Sequence, residues 1–349
     1  MTKIKLASLI LLGAILAGCT VSSTGTASKS GSFFRSDNSA NTWMSKSNIM
    51  GVSKIGNFSG ANIWDIELDP TDNKTIYIAT MDAGMFVSYD SGESWQWVKS
   101  LSKVFVRSIA IDPQYRCTIF AAVSNKLYKS IDCGRSFTQT YYDNDATVSI
   151  NSVVTDPKNG SKVFIATSRG EIIKSIDRGQ SWQTINRFSG KIDKLYVNPK
   201  NGNYMYVGTT ADGLAVSVDG GVHWKSLKEN LKSFEEGTSF KGIAFSGDDV
   251  SNIYIATRYG LLHSENNGND WRKIELITPK EKATINALAV DPIDERKIYY
   301  STNTTFYSSK DGGKNWTTKA LPVARVGWSL VIDPKNTATL YMGMRDIKK

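Results

Sequence analysis

Histidine and cysteine are scarce in this chain, with two histidines and three cysteines in 349 residues. The histidines, His223 and His263, fall in no metal-ligand spacing and in no pattern of nucleophile and base, so neither metal chemistry nor triad hydrolysis has its usual carriers. Like charges do not form runs, and basic residues are not interleaved with aromatics, which removes the pattern of a nucleic-acid binder. The surplus of charge is modest: 42 Lys and Arg against 33 Asp and Glu. An apolar run from Leu6 to Ala17 is too short to cross a bilayer as a stable anchor. Apolar content is ordinary at 40%, enough for a packed core without metals or many disulfides.

What the chain has instead is a repeat. The octet Ser-x-Asp-x-Gly-x-x-Trp stands at Ser175 to Trp182, and again from Ser88, Ser217 and Ser309. Two copies vary at one place each: the octet from Ser130 ends in Phe137, and the one from Ser264 carries Asn266 for Asp. From serine to serine the steps are 42, 45, 42, 47 and 45 residues. That period suits one four-stranded blade of a propeller.

The octet has the chemistry of a tight turn between two strands. Asp90, Asp132, Asp177, Asp219, Asn266 and Asp311 can accept backbone N–H bonds, the glycine supplies a positive φ, and the aromatic ring restarts a strand against the core. These residues are therefore expected to be structural, one per blade, and not a metal site, which needs convergent oxygen ligands. No cofactor is implied.

Ahead of each octet lie three short β-branched and aromatic stretches, as in Val106–Ile111, Thr118–Ala122 and Lys126–Ser130, separated by Asp-Pro or Gly/Asn turns. The C-terminal region holds two such strands, around Trp328–Ile332 and Leu340–Met344, with no octet after them. Their partners stand at the other end, where Ser36, Asn38, Ala40 and Trp43 make a worn octet. The expected fold is therefore all-β: a seven-bladed β-propeller of four-stranded antiparallel blades, with N- and C-terminal strands sharing one blade and leaving no open edge. Ala40, in place of glycine, should relax or strain its turn.

The front end reads as a targeting segment. Lys3 and Lys5 precede the apolar run, which ends in Leu16-Ala17-Gly18-Cys19 and resembles a bacterial lipobox. Residues 1–18 are then a lipoprotein signal peptide, Cys19 the lipidated N-terminus, 19–31 a flexible Ser/Thr/Gly-rich tether, and 32–349 a single propeller. The expected location is that of an exported lipoprotein anchored on the periplasmic side, at the outer membrane or on the cell surface. The other two cysteines, Cys117 and Cys133, fall in adjacent turns of the second blade, and an exported protein would join them in a disulfide.

The octet is similar to the Asp-box, or bacterial neuraminidase repeat. With strands such as Ile76-Tyr77-Ile78-Ala79-Thr80, the chain resembles the seven-bladed photosystem II assembly and stability factor family and, more distantly, the sortilin N-terminal propeller. That resemblance implies a non-catalytic propeller that binds a protein partner or assists a membrane-associated complex, itself monomeric. The alternative is a carbohydrate-active glycoside hydrolase or glycan binder, because Asp-boxes occur there too. A sialidase needs an Arg-Ile-Pro type segment before the first box, and the chain has none. A glycosidase would need a pair of carboxylates at a set distance.

A binding role needs a surface. Trp64, Arg107, Asn151, Asp193, Lys241, Asn286 and Trp328 occupy the same place near the start of each first strand and should ring one mouth of the central channel. Arg169, Arg258 and Arg345 follow second strands and would share that face. So would the longest inter-blade loop, Lys225 to Ser239, read as a solvated excursion because Glu229, Glu235 and Glu236 alternate with lysines.

Overall fold

A computed structural model describes residues 31–50, 56–278 and 284–347. The signal segment, Cys19 and the tether up to residue 30 lie outside the described residues. The described chain forms seven four-stranded antiparallel sheets and one two-stranded sheet. Blade 1 is Ile63–Leu68, Ile76–Thr80, Gly84–Ser88 and Gln96–Ser102, hydrogen-bonded in that order. Five further blades repeat the plan in sequence. The seventh pairs Val326–Ile332 and Leu340–Arg345 with Phe33–Ser36 and Met44–Ser45, the strand Phe33–Ser36 lying against Leu340–Arg345 in the register Phe33 to Gly343. Head and tail of the chain thus close the ring in one sheet.

The burial pattern explains the strand order. Second strands, such as Ile76–Thr80 and Ile253–Thr257, are buried along their whole length because a blade lies on each face. Fourth strands, such as Gln96–Ser102, alternate toward solvent at the rim of the ring. First strands lie nearest the axis, each touching the first strand of a neighbouring blade.

Two kinds of turn hold one face. At the end of the first strand in six blades a buried Asp or Asn accepts backbone N–H bonds from its own turn, as Asp112 does from Gln114 and Tyr115; in blade 5 Ser246 stands there and its hydroxyl donates to Asp291 O of the next blade. At two of these turns the second oxygen hydrogen-bonds with the next blade: Asp112 meets Arg178 Nε at 2.8 Å, and Asp333 accepts from Asn73 at 2.6 Å across the closing seam; at Asp156 and Asp291 it meets a lysine of its own blade, Lys162 or Lys297. Gly160 and Gly202 are required by this latch, since a Cβ at either would press into the carboxylate of Asp112 or Asp156.

The octets form the second kind of turn. In each, the Ser hydroxyl donates to the Asp or Asn side chain and accepts the N–H of the glycine, at 2.7 and 2.7 Å for Ser175. Oδ1 of the Asp takes the N–H of the residue just before the aromatic, and Oδ2 takes that residue's side chain, here Ser181 at 2.9 and 2.5 Å. The worn copy keeps the same bonds, with Ala40 N–H on Ser36 Oγ at 3.0 Å and Thr42 N–H on Asn38 Oδ1 at 2.9 Å. Ala40 holds φ +63° to do so, which is strain rather than relaxation. The residue before each glycine is left-handed as well, from Ser91 at φ +60° to Arg178 at +59°, so each octet contains two successive positive-φ residues.

Arg325 fastens the ring shut. It is 9% exposed, and its guanidinium donates to the carbonyls of Gly31, Ser59 and Ala61 and to Asn62 Oδ1, while Nε meets Asp346 at 2.9 Å. One side chain from blade 7 thereby binds both the start of the described chain and the entry to blade 1.

Candidate functional site

Strand directions separate two faces. Asp-Pro turns and octets share one, while the starts of first strands and the loops after second and fourth strands share the other. On that second face the ladders of six blades slip by one residue at the same place. In blade 1 Ile63 opposes Thr80 and Asp65 opposes Ala79, which leaves Trp64 unpaired; the same slip omits Arg107, Asn151, Asp193, Lys241 and Trp328. Asn286 in blade 6 immediately precedes its paired strand and donates its N–H to Ser301 O. A bulge of this kind frees a side chain from the pleat and re-aims it. Six of the seven positions read as a rim are thus bulges, a feature that aligned sequence could mark only as variable.

The seven side chains are not used alike. Asn151 turns sideways and donates to Ile192 O of the next blade at 2.7 Å, Asn286 bonds Asn303, and Asp193 pairs with Lys191 at 3.0 Å. Lys241 stands exposed. The remaining three cluster across blades 7, 1 and 2. Trp64 and Trp328 lie with ring centroids 5.3 Å apart, and Phe105 meets Trp64 edge-on at 5.1 Å. The Arg345 guanidinium sits 3.1 Å over Trp328 and 5.2 Å from Trp64, and Arg107 stacks 4.3 Å over Phe105. Five residues from three blades form one ladder, three contacting aromatic rings with a guanidinium stacked at each end.

Its electrostatics set it apart. Among the described residues neither Arg107 nor Arg345 has an ion pair, and burial alone lowers the pKa of each. Arg107 Nε is buried without a hydrogen-bond partner. A guanidinium stacked on an aromatic keeps its in-plane N–H donors free for a carboxylate or phosphate. Arg169 and Arg258, on the same face, are already paired: Arg169 with Asp143 and with Glu171, Arg258 with Glu236 at 3.9 Å. Phe105 and the unpaired state of the two arginines escaped sequence reasoning, because the octet period marks position and not partnership.

Inside the ring a second charged group crosses the lumen. Lys194 of blade 4 reaches Asp65 of blade 1, Nζ to Oδ1 3.1 Å. Burial pushes the nearby Glu67 carboxyl up to about 8, Asp65 adds to the shift and Lys194 partly opposes it. Burial works against charge on Lys194 too, but Asp65 and then Tyr196 outweigh it, and the net pKa is raised.

A cavity of about 310 Å³ lies farther out on the mouth face, lined by Tyr141, Asp143, Asp145, Arg169, Glu171 and Thr184. Its two buried acids are engaged: Asp143 by Arg169, and Glu171 by Arg169 and Arg187. The Lys225–Ser239 loop is not a purely solvated excursion. It contains a short helix, Lys228–Leu231, and packs Leu227, Leu231 and Phe234 against blades 4 and 5.

The octet acids face the other way and are fully occupied. The Ser136 hydroxyl and N–H bring Asp132 down to about 2, and the Asn315 N–H and side chain bring Asp311 to about 2. Asp90, Asp177 and Asp219 hold the same place, and Asn266 accepts the Asp270 N–H. Cys117 and Cys133 are joined in a disulfide beside the second octet. His263 is buried against Tyr254 and bonds Asn252, and His223 is exposed and pairs with Asp219. Among the described residues no group of three His, Cys, Asp or Glu gathers as metal ligands would.

The chain is a seven-bladed β-propeller. The Sortilin-Vps10 family model (sortilin, neurotensin receptor 3) matches residues 125–258, from blade 2 into blade 5. The structure described as YCF48 bound to D1 peptide is similar over 82% of this chain and 94% of that one, at 16% identity and TM-score 0.64. YCF48 from Cyanidioschyzon merolae is similar over 81% and 95%, at 15% and 0.63. The GH74 xyloglucanase from Xanthomonas campestris is similar over 82% of this propeller at 17% identity and TM-score 0.65, but the propeller spans only 51% of that enzyme. At such identities the likeness is one of fold. No curated protein matches in sequence.

Proposed function

We propose that this propeller is a lipid-anchored, exported, non-catalytic protein-binding factor that assists a membrane-associated complex. Cys19 is the lipidated residue and residues 19–31 the tether in this reading. The observation that carries it is the ladder of Trp328, Trp64, Phe105, Arg107 and Arg345, which puts two unpaired guanidinium groups on aromatic supports at the channel mouth. Such a surface suits an acidic or carboxylate-bearing peptide: the aromatics supply rigid contact area and the arginines bidentate donors. The fold-level likeness to a YCF48 that was solved with a D1 peptide supports a peptide ligand.

The rival is a glycoside hydrolase, favoured by the GH74 likeness and by the acids of the 310 Å³ cavity. Hydrolysis needs one carboxyl free to give a proton and another free to attack or activate water. Asp143 and Glu171 are instead tied to the same arginine, Arg169. The test is to capture the anchored protein from its host membrane, identify what travels with it, and titrate that partner's soluble segment onto the propeller. Saturable binding that weakens in Arg345→Gln supports the reading; release of oligosaccharide from xyloglucan by the wild type, lost in Glu171→Gln, overturns it.

A further inference from the structure

The cavity between blades 2 and 3 departs from the repeat in a way the scaffold does not need. Blade 3 moves its positive-φ glycine to Gly170 and puts Glu171 where blades 1, 4 and 5 carry Gly84, Gly213 and Gly260. Glu171 is 5% exposed, and a carboxylate at that depth is tolerated only because Arg169 and Arg187 both meet it. Arg169 holds the buried Asp143 as well, so both inner acids of the cavity are paired. The lining groups left over are mainly uncharged. Among the described residues the hydroxyls of Tyr141, Tyr142 and Thr184 and the side-chain amide of Asn144 have no hydrogen-bond partner, although all four residues line the cavity. Asp145 takes the N–H and hydroxyl of Thr147 on Oδ1, at 2.9 and 2.6 Å, and keeps Oδ2 free.

The geometry points to a second binding site: this cavity holds a neutral saccharide unit and does not cleave it. Sugar hydroxyls need partners that donate and accept at once, and three hydroxyls and one amide supply them here. A sugar ring also packs its C–H face on a flat apolar surface. Tyr142 is 54% exposed at the rim and contacts no other ring among the described residues, and Tyr141 is braced edge-on by Trp182 at 5.7 Å. Asp143, Asp145 and Glu171 outnumber Arg169 and Arg187, which turns an anionic ligand away. With the two buried acids already paired, only the exposed Asp145 remains for a cation. The volume of about 310 Å³ stands at the lower end for ligand pockets, room for about one or two sugar rings with the rest of a chain running out over Tyr142. Hydrolysis needs two free carboxyl groups, and Arg169 occupies both inner ones, so the bound sugar stays intact. The site is separate from the aromatic and arginine ladder and does not depend on what that ladder binds.

The test screens the full chain, held in a detergent without a sugar headgroup, on an array of neutral oligosaccharides, and titrates the strongest hit calorimetrically. Saturable binding that weakens about tenfold or more in Tyr142→Ala and in Thr184→Val is expected, about 1.4 kcal/mol for each tenfold step, with the sugar recovered at its original length by chromatography. Both side chains are exposed, so both variants should melt with the wild type. No binding to any neutral oligosaccharide, or binding untouched by both substitutions, overturns the site. Putrescine binding more tightly than the sugar and displacing it overturns it in favour of a cation pocket. A shortened sugar overturns it in favour of a hydrolase, and takes the non-catalytic function above with it. Intact sugar binding with no captured protein partner supports this site and sinks only the protein-binding function.

Discussion

The two faces of this propeller are built by the same repeat and finished in opposite ways. On the octet face the same hydrogen bonds recur seven times, and the buried acids there are consumed by backbone and by neighbouring blades. On the mouth face a repeated bulge presents different side chains, and Arg107 at one bulge and Arg345 beside another have no acidic partner among the described residues. A position whose hydrogen bonds are all satisfied internally has nothing left for a ligand. Identity across blades therefore marks scaffold, and variety at a repeated bulge marks where recognition has room.

Stability should follow that division, and the largest effect belongs to the octet face. Trp95 is fully buried between Phe33 and Phe58, where blade 7 meets blade 1, and Trp95→Ala should cost about 3–5 kcal/mol in urea unfolding. Trp182→Ala should cost clearly less, since that ring is only partly buried. Equal losses would break the link between the seam and stability. Next, Ser175→Ala leaves the Gly179 N–H unpaired and should cost about 2 kcal/mol by the same measurement.

Glu67 gives a pH test from the mouth side. Its carboxyl titrates near 8 in the folded ring and near 4.5 unfolded, so the folded state is favoured below pH 4.5 and loses stability as pH rises toward 8. Glu67→Gln should therefore stabilise the fold in urea unfolding at pH 8.5, by about 1–2 kcal/mol once water in the lumen is allowed for, and leave stability unchanged at pH 4. A gain independent of pH would show that Glu67 is not held neutral. A smaller effect concerns the worn octet. Ala40→Gly should stabilise by about 0.5 kcal/mol, the relief of a positive φ slightly exceeding the loss of one buried methyl, whereas Gly179→Ala should destabilise.

Most of the fold was legible because the octet is a local device. Ser, Asp, Gly and aromatic at fixed offsets can be read without knowing any long-range contact, and the unmatched strands at both ends then require closure. Seven blades and the shared sheet followed from that count. The mouth was legible only as a position. That Trp64, Arg107 and Trp328 are aimed by bulges depends on a one-residue register slip, which hydrophobic pattern does not encode. That Asn151 is spent on Ile192 while Arg345 stays unpaired depends on contacts between blades far apart in sequence. Phe105 was missed because it lies outside the repeat, in the loop before its strand, and Arg325 because a buried arginine in a connecting loop has no sequence signature.

The central claim is that the unpaired guanidinium groups at the mouth, and not the octets, do the recognising. Arg107→Gln/Arg345→Gln should melt within about 2 °C of wild type, since it removes charges that burial already disfavours. The most direct measurement is calorimetric titration of this folded double variant with the acidic segment of the captured partner. A loss of tenfold or more in affinity, about 1.4 kcal/mol, is the predicted result; unchanged affinity would contradict the account.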